Sequence, residues 1–343
     1  MFKLMMQRAL GVNRKVYVCF VDYEKAFDRV RHHHMLEVLK NLHIDKEDLC
    51  FIHALYWNQK SNVRIRGLCS KEFRSIQRGV RQGCPLSPAL FNAFSEKITS
   101  SPKWNKIGFK IGGQRVKDIN YADDKVLTAE TPQQLQQMVT RLDTDSKKSD
   151  MSMNTKKTKV MVISKTATKN PLRIVLNDMA LEQVNRYPYL GVQITSDGRD
   201  EIEIKHRIGL AKQAFNNYAS VLRNRKMKLP LRRRILHCYV WTVLRYGSET
   251  WTITKYVEKR VNDFELWCYR KMQRISWTER VRNEDVLKRI GIKETILLNH
   301  IKEAKSRFVE KMKTEDIFKT AMQGKIPGKS SRGRKRLTML SNV

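Results

Sequence analysis

The sequence predicts an α+β fold, and three observations carry that prediction. Val16 to Val21 is an unbroken apolar run, β-branched and aromatic, that stops at the acid Asp22, the pattern of a strand buried on both faces. Around Tyr121-Ala122-Asp123-Asp124 apolar residues flank an acid pair where a short hairpin would turn, with Ile119 before it and Val126 and Leu127 after it. Beyond residue 200 the spacing changes. Ile204, Ile208, Ala211, Phe215, Tyr218 and Leu222 step by fours and threes along one side of a long helix. A sheet with packed helices is expected first, and a mainly helical region after it.

At 343 residues the chain can bury a sizeable core, in two or three subdomains. Its 68 Lys and Arg against 34 Asp and Glu leave a net charge of +34, far beyond what solubility requires. Such a charge implies a polyanionic partner, nucleic acid first and an anionic membrane surface second. No apolar run approaches the roughly 20 residues that span a bilayer, and the start Met1-Phe-Lys-Leu lacks a signal-peptide cleavage pattern. The expectation is an intracellular protein, of the nucleus, the cytoplasm or both, with no membrane partner. Cys19, Cys50, Cys69, Cys84, Cys238 and Cys268 contain no Cys-x-x-Cys pair, so reduced and mainly buried thiols are expected rather than disulfides or a zinc site.

Taken in order, residues 1–15 are short, basic and weakly patterned. After Asp28, Met35, Leu39 and Leu42 recur at helical spacing. His32-His33-His34 lies in this helix, where three consecutive side chains cannot share a face, so it reads as a partly solvated basic patch rather than a metal site. A second apolar stretch covers Leu49 to Trp57, and Val63 to Phe73 alternates around Gly67 as a hairpin would. Gln82-Gly-Cys-Pro-Leu-Ser-Pro88 runs from a loop into a helix, with Ser87 as N-cap, Pro88 at the first helical position, and Leu90, Phe91 and Phe94 facing a core. Gly83 lets backbone approach a nucleotide closely, and Gln82 offers an amide. Thr131-Pro-Gln-Gln134 reads as a capping box before a helix with Leu135, Met138, Val139 and Leu142 on one stripe. Asn154 to Lys159 is a basic turn before the strand Val160 to Ile163. Further helices are expected around Arg232–Val243 and Val257–Ser276. Lys325 to Arg336, with six basic residues and no acid, predicts a disordered tail able to meet phosphates.

A carboxylate at the end of a buried strand and an acid pair in a hairpin could converge on divalent cations. Mg²⁺ takes oxygen ligands, usually one or two protein carboxylates beside water and phosphate. Two such ions roughly 3.5–4 Å apart stabilise the attacking and leaving oxygens of a phosphoryl transfer together. Asp pairs also occur at turns for local hydrogen-bonding reasons alone. The order of three stretches shifts the balance. Phe20-Val-Asp-Tyr-Glu-Lys-Ala-Phe-Asp28, then Arg78-Gly-Val-Arg-Gln-Gly-Cys-Pro-Leu-Ser-Pro88, then Tyr121-Ala-Asp-Asp124 resemble the successive polymerase motifs of non-LTR (LINE-like) retrotransposon reverse transcriptases.

The resemblance implies a right-hand polymerase: palm with partial fingers over 1–198, thumb-like helices over 199–245, a C-terminal helical region over 246–322 and a basic tail over 323–343. It implies an RNA-directed DNA polymerase in which a DNA primer's 3′-hydroxyl attacks the α-phosphate of a deoxynucleoside triphosphate on an RNA template. Asp22, Asp123 and Asp124 would hold two Mg²⁺. Phe27 matches the position whose ring blocks a ribose 2′-hydroxyl, Gln82 and Gly83 match one wall of the nucleotide pocket, and Lys157 matches a lysine near the incoming triphosphate. Tyr189-Leu190-Gly191 resembles the primer-grip hairpin. Tyr246-Gly-Ser-Glu-Thr-Trp251 is similar to a post-thumb stretch of the same elements and carries no assignable chemistry.

Two departures bear on catalysis. Only 21 residues precede Asp22, where similar enzymes carry a longer fingers region whose Lys and Arg clamp the triphosphate, so the chain is read as truncated at its N-terminus. Lys125 stands where the family has a small polar residue, and its ammonium could pair with Asp124 or Asp123 and compete with Mg²⁺. These keep a second reading open, a catalytically dead, retrotransposon-derived basic nucleic-acid-binding protein.

Overall fold

The computed structural model describes residues 1–57, 59–70, 76–99, 104, 107–166, 170–314, 316–328 and 336–341. The chain divides into two compact units, one of Lys15–Val162 with Ala167–Asn185, the other of Met1–Arg14, Ile163–Thr166 and Arg186–Val343. The larger break along the chain falls after residue 185. Leu236, Trp241 and Leu244 share one apolar core with Trp251, Val257, Val261, Phe264 and Cys268.

Before the first unit comes α1 (Phe2–Gly11). The unit itself begins with β1 (Val16–Val21), then α2 (Ala26–Arg29), α3 (His32–Asn41), α4 (Lys46–Tyr56), the small hairpin β2 (Arg64–Ile65) and β3 (Leu68–Cys69), and α5 (Ser87–Thr99). A second small hairpin, β4 (Phe109–Ile111) and β5 (Gln114–Val116), leads to β6 (Asp118–Tyr121), β7 (Asp124–Ala129), α6 (Pro132–Lys148) and β8 (Lys159–Ile163). A third, β9 (Val175–Leu176) and β10 (Met179–Ala180), precedes β11 (Glu182–Gln183). The main sheet has five strands in the order β11-β8-β1-β7-β6, with β1 and β6 both antiparallel to β7. The continuous apolar run of β1 follows from its place at the centre of this sheet, where Val18, Cys19 and Phe20 are buried.

Helices α5 and α6 supply the core on one side of the sheet, with Leu90, Phe91, Phe94, Leu135, Met138, Val139 and Leu142 packed with Cys19, Val21, Leu127 and Ala129. The start of α6 is set as expected: Thr131 Oγ1 accepts from the Gln134 N–H at 3.2 Å. The reciprocal bond is displaced by one residue, because Gln134 Oε1 accepts from the N–H of Glu130 at 3.2 Å instead of the cap's own. The hairpin around Gly67 is present, with its Phe73 end outside the described residues. Met35 and Leu39 are buried as their spacing predicts, whereas Leu42, the C-cap of α3, is exposed.

The second unit opens on the hairpin β12 (Arg186–Tyr189) and β13 (Val192–Thr195), followed by α7 (Glu201–Asn217), α8 (Ala219–Leu222), α9 (Leu229–Ile235), a π-helical turn over Leu236–Trp241 and α10 (Thr242–Arg245). Then come α11 (Lys255–Gln273), α12 (Asn283–Ile290), α13 (Leu297–Lys313) and α14 (Asp316–Gln323). The predicted seam holds at Ile204, Ala211, Phe215 and Leu222, all buried. It fails at Tyr218, which sits at the break between α7 and α8 and packs its ring 5.0 Å from that of Tyr239.

Residues 2–11 are a well-buried helix rather than an unpatterned start. Leu4, Met5, Met6, Ala9 and Leu10 are buried, and the interspersed basic residues are spent on contacts within this unit: Lys3 pairs with Asp200, and Arg8 donates to the Ala321 carbonyl at 2.6 Å. The tail is likewise docked where described: Arg336 donates to Asp197 O at 2.8 Å and Met339 is buried with Leu4 and Met312, while 329–335 lie outside the described residues. The six cysteines are free thiols, but only Cys19 and Cys268 are buried, and the exposed Cys50, Cys69 and Cys238 correct the expectation of mainly buried ones. Among the described residues no helix is long and apolar enough to cross a membrane.

Candidate active site

The register of the two central strands decides where the acids meet. Val21 of β1 stands opposite Lys125 of β7, so the next pair outward is Asp22 opposite Asp124. Strand β7 turns into β6 through only Ala122 and Asp123, with Tyr121 paired to Asp124. That tight turn needs Ala122 at φ +52°, a left-handed conformation that costs a side-chain-bearing residue on the order of 1 kcal/mol or more. The strain places Asp123 at the hairpin tip beside the Asp22–Asp124 pair.

Electrostatics bear out the proximity. Burial raises the Asp22 carboxyl above the ordinary aspartate range; Lys157 opposes that rise, and Asp123 and Glu24 add to it. Burial likewise raises Asp124, with the charges of Asp123 and Asp22 next in effect. The charge of Asp123 thus bears on both, and that of Asp22 on Asp124. Asp22 Oδ2 is buried and has no hydrogen-bond partner among the described residues. Among those residues no three His, Cys, Asp or Glu side chains form a ready cage for a metal ion. Mg²⁺ does not require one, since it keeps water and substrate phosphate among its ligands. Crowded carboxylates with an unsatisfied buried oxygen fit a cation that completes its shell that way.

A strap from 152 to 158 holds the end of β1. The Asp22 carbonyl accepts from Asn154 N–H at 2.8 Å, Asp22 N–H donates to Thr158 Oγ1 at 3.3 Å, and Glu24 N–H donates to the Ser152 carbonyl at 2.9 Å. Asn154 Oδ1 accepts from the N–H groups of Lys156 and Lys157 at 3.0 and 3.1 Å, a side-chain turn that aims the lysine pair. Lys157 Nζ ends 4.0 Å from Asp22 Oδ2, so the structure brings this predicted residue to the acids. Asn154 and Thr158 were missed as positioning groups, although Asn two residues before a lysine pair was a readable turn signal.

Phe27 is half-buried, its ring stacked on Phe91 at 4.7 Å and 9°. Its carbonyl accepts from Val80 N–H at 2.8 Å, and Gly79 N–H donates to the Val30 carbonyl at 2.7 Å, which ties the Arg78–Pro88 stretch to the segment after Asp22. Gln82 and Gly83 form an exposed turn closed by Cys84 N–H on the Arg81 carbonyl. Gly83 takes φ +84°, and a Cβ there would meet nothing within 4 Å, so the backbone faces open space. His32 departs from the expected solvated patch. It is buried, and its Nε2 lies 2.8 Å from the Gly79 carbonyl, while His33 is exposed.

Lys125 does not compete for the acids. Along β7 successive side chains alternate, so Asp124 and Lys125 leave opposite faces of the sheet. Lys125 is buried on the face of Val21, Leu127 and Ala129, its Nζ 3.8 Å from Asp118 Oδ2. Burial lowers its pKa to about 8, with Asp118 opposing.

Tyr189, Leu190 and Gly191 belong to the other unit, where they close the β12–β13 hairpin with Leu190 at φ +48° and Gly191 at φ +72°.

Residues 5–194 match the family model for reverse transcriptase (RNA-dependent DNA polymerase), and the chain belongs to that family. Over 198 residues it is 29% identical to the retrovirus-related Pol polyprotein from type-1 retrotransposable element R2 of Nasonia vitripennis, covering 55% of this chain and 19% of that one. It is 25% identical to the RNA-directed DNA polymerase from mobile element jockey of Drosophila funebris, over 80% of this chain and 30% of that one. The chain thus spans only 19% and 30% of these relatives' lengths. An apo telomerase structure from Candida tropicalis aligns over 95% of this chain and 56% of its own at 13% identity, with a TM-score of 0.43. The resemblance to non-LTR retrotransposon reverse transcriptases read from the three motifs is borne out by the family and sequence matches.

Proposed function

We propose that the chain is an RNA-directed DNA polymerase of retrotransposon type, which extends a DNA primer by deoxynucleotides on an RNA template. The observation that carries this reading is the β1–β7 register, which sets Asp22 opposite Asp124 with Asp123 at the adjoining tip, in a chain of the reverse transcriptase family. Reverse transcriptases as a family use divalent metal ions. Two Mg²⁺ held by Asp22, Asp123 and Asp124 would neutralise charge on the attacking 3′-oxygen and on the leaving pyrophosphate. The chain's own residues orient the reactants. Lys157, whose Nζ is 4.0 Å from Asp22 Oδ2, would meet the triphosphate and supply a proton to the departing pyrophosphate. Phe27, braced by Phe91, would exclude a ribose 2′-hydroxyl, while Gln82 and Gly83 would offer an amide and a bare backbone turn. Tyr189, Leu190 and Gly191 would contact the primer.

The net charge of +34 suits this reading and equally suits a binding protein without catalysis. Primer extension on an RNA template with Mg²⁺ separates the two. Wild-type chain is expected to incorporate deoxynucleotides and Asp123→Asn to lose incorporation by about 10³-fold or more, with salt-dependent nucleic-acid binding retained in both. Incorporation at the wild-type rate by Asp123→Asn would refute the assignment, and steep salt-dependent binding with no wild-type incorporation would leave the binding reading.

A further inference from the structure

The stretch Tyr246-Gly-Ser-Glu-Thr-Trp251, to which the motifs gave no chemistry, closes on the Leu190–Gly191 turn. Both carbonyls of that turn are engaged. Leu190 O accepts from the Tyr246 hydroxyl at 3.0 Å, and Gly191 O accepts from Arg207 Nη2. Arg207 is held in turn by Glu203, whose Oε1 accepts from Arg207 Nε at 2.7 Å and whose Oε2 accepts from the Gln193 N–H at 2.7 Å. The guanidinium lies 4.5 Å from the Tyr246 ring centroid. The fit is close on both sides: a Cβ at Gly191 would come 3.3 Å from Tyr246 Cε1, and one at Gly247 would come 2.9 Å from Val192 Cγ2.

This is more fixation than a surface turn needs. A two-stranded hairpin is marginal by itself, and β12–β13 has no third strand among the described residues. Glu203 is wholly buried and Arg207 nearly so. A buried ion pair contributes little net stability, because desolvating both charges offsets their attraction, so its use here points to geometry. Tyr246 nevertheless remains 53% exposed, leaving ring surface beside the turn open to a nucleic-acid sugar or base.

We infer that Tyr246, Arg207 and Glu203 are positioning residues that hold the Leu190–Gly191 turn rigid for the 3′ end of a primer strand paired to template. The inference rests on the polymerase reading, which gives the hairpin its primer.

The test measures fluorescence anisotropy and steady-state extension with an RNA template carrying a recessed DNA primer, and binding to single-stranded RNA of equal length. Tyr246→Phe removes one hydroxyl and keeps the ring stacked on Arg207, so the fold is preserved. It should weaken binding of the recessed primer–template roughly fivefold, the loss of one neutral hydrogen bond. The KM for primer–template should rise in parallel, with kcat and single-strand affinity unchanged and the thermal midpoint lowered by no more than about 2–4 °C. Arg207→Lys, which keeps the charge and loses the fork, should weaken the same step further. Tyr246→Phe with wild-type affinity and KM for the recessed primer would overturn the inference, as would an equal loss on single-stranded RNA, which marks a general effect. A wild-type chain that neither extends the primer nor prefers it to single strand would remove the polymerase reading itself, so wild-type extension tells the two failures apart.

Discussion

Asp22→Asn is expected to reduce templated incorporation by about 10³-fold or more while making the metal-free chain more stable, not less. The two effects have one cause. Burial raises the carboxyls of Asp22 and Asp124; the charge of Asp123 adds to both rises, and that of Asp22 to the rise of Asp124. A group whose folded pKa lies above its unfolded value is protonated first in the native state, so these acids favour the fold at low pH. That contribution is lost as pH climbs from the ordinary aspartate range through the raised folded values. Above those raised values and without metal both are charged and work against folding. Asparagine at 22 removes one charge and the repulsion it causes, at the expense of a Lys157 contact whose lysine is 71% exposed and whose worth is correspondingly small. Calorimetry in EDTA should show a higher midpoint for Asp22→Asn and a weaker loss of stability with rising pH. A lower midpoint would mean that Asp22 is a structural anchor, and not one member of a strained acid group.

Lys125→Met should stabilise the first unit and spare the acid site. The ammonium is almost wholly buried, makes no hydrogen bond among the described residues, and has Asp118 Oδ2 at 3.8 Å as its main counter-charge, with a smaller pull from Glu96. Its pKa falls from 10.5 to about 8, chiefly through burial. Below that folded value the lysine is charged in both states and the burial cost is carried in full, an upper bound of roughly 3 kcal/mol at neutral pH. Between pH 8 and 10.5 the unfolded chain binds the proton and the native chain does not, so wild-type stability should rise across that window. Methionine fills a similar volume and has no charge to bury. Urea unfolding should give Lys125→Met a midpoint above wild type at pH 7, and the gap should close toward pH 10. Extension activity, if present in wild type, should be unchanged. Were Lys125→Met to alter the metal dependence of extension, the ammonium would be acting on the acids despite the opposite faces of β7.

The central strand and the hairpin beside it could be read from the sequence because both rest on local signals. An uninterrupted apolar run ending in Asp22, and an acid pair that straddles the end of a two-residue turn, each report their own backbone state. What local signals could not report is which way a side chain leaves a strand whose two faces are both covered. Val126 and Leu127 are both buried, so no polar–apolar alternation marked the face that Lys125 takes, and adjacency in sequence was mistaken for adjacency in space. The helix over Phe2–Gly11 was hidden in another way. Lys3 and Arg8 break its apolar stripe, and their partners Asp200 and Ala321 lie far along the chain. The same holds for Glu203 and Arg207, ordinary helix-surface residues by spacing, which become legible only once the turn they hold is seen.

The direct measure of whether distant carboxylates share cations is divalent-ion binding without nucleic acid, followed by calorimetric titration of Mg²⁺ and by the spin-resonance signal of free Mn²⁺. Wild-type chain should bind at this site, and Asp22→Asn and Asp124→Asn should each weaken that binding about tenfold or more, because one oxygen ligand and one charge are lost from either strand. Binding that Asp124→Asn abolishes but Asp22→Asn leaves at wild-type strength would show that β1 and β7 do not serve one metal site.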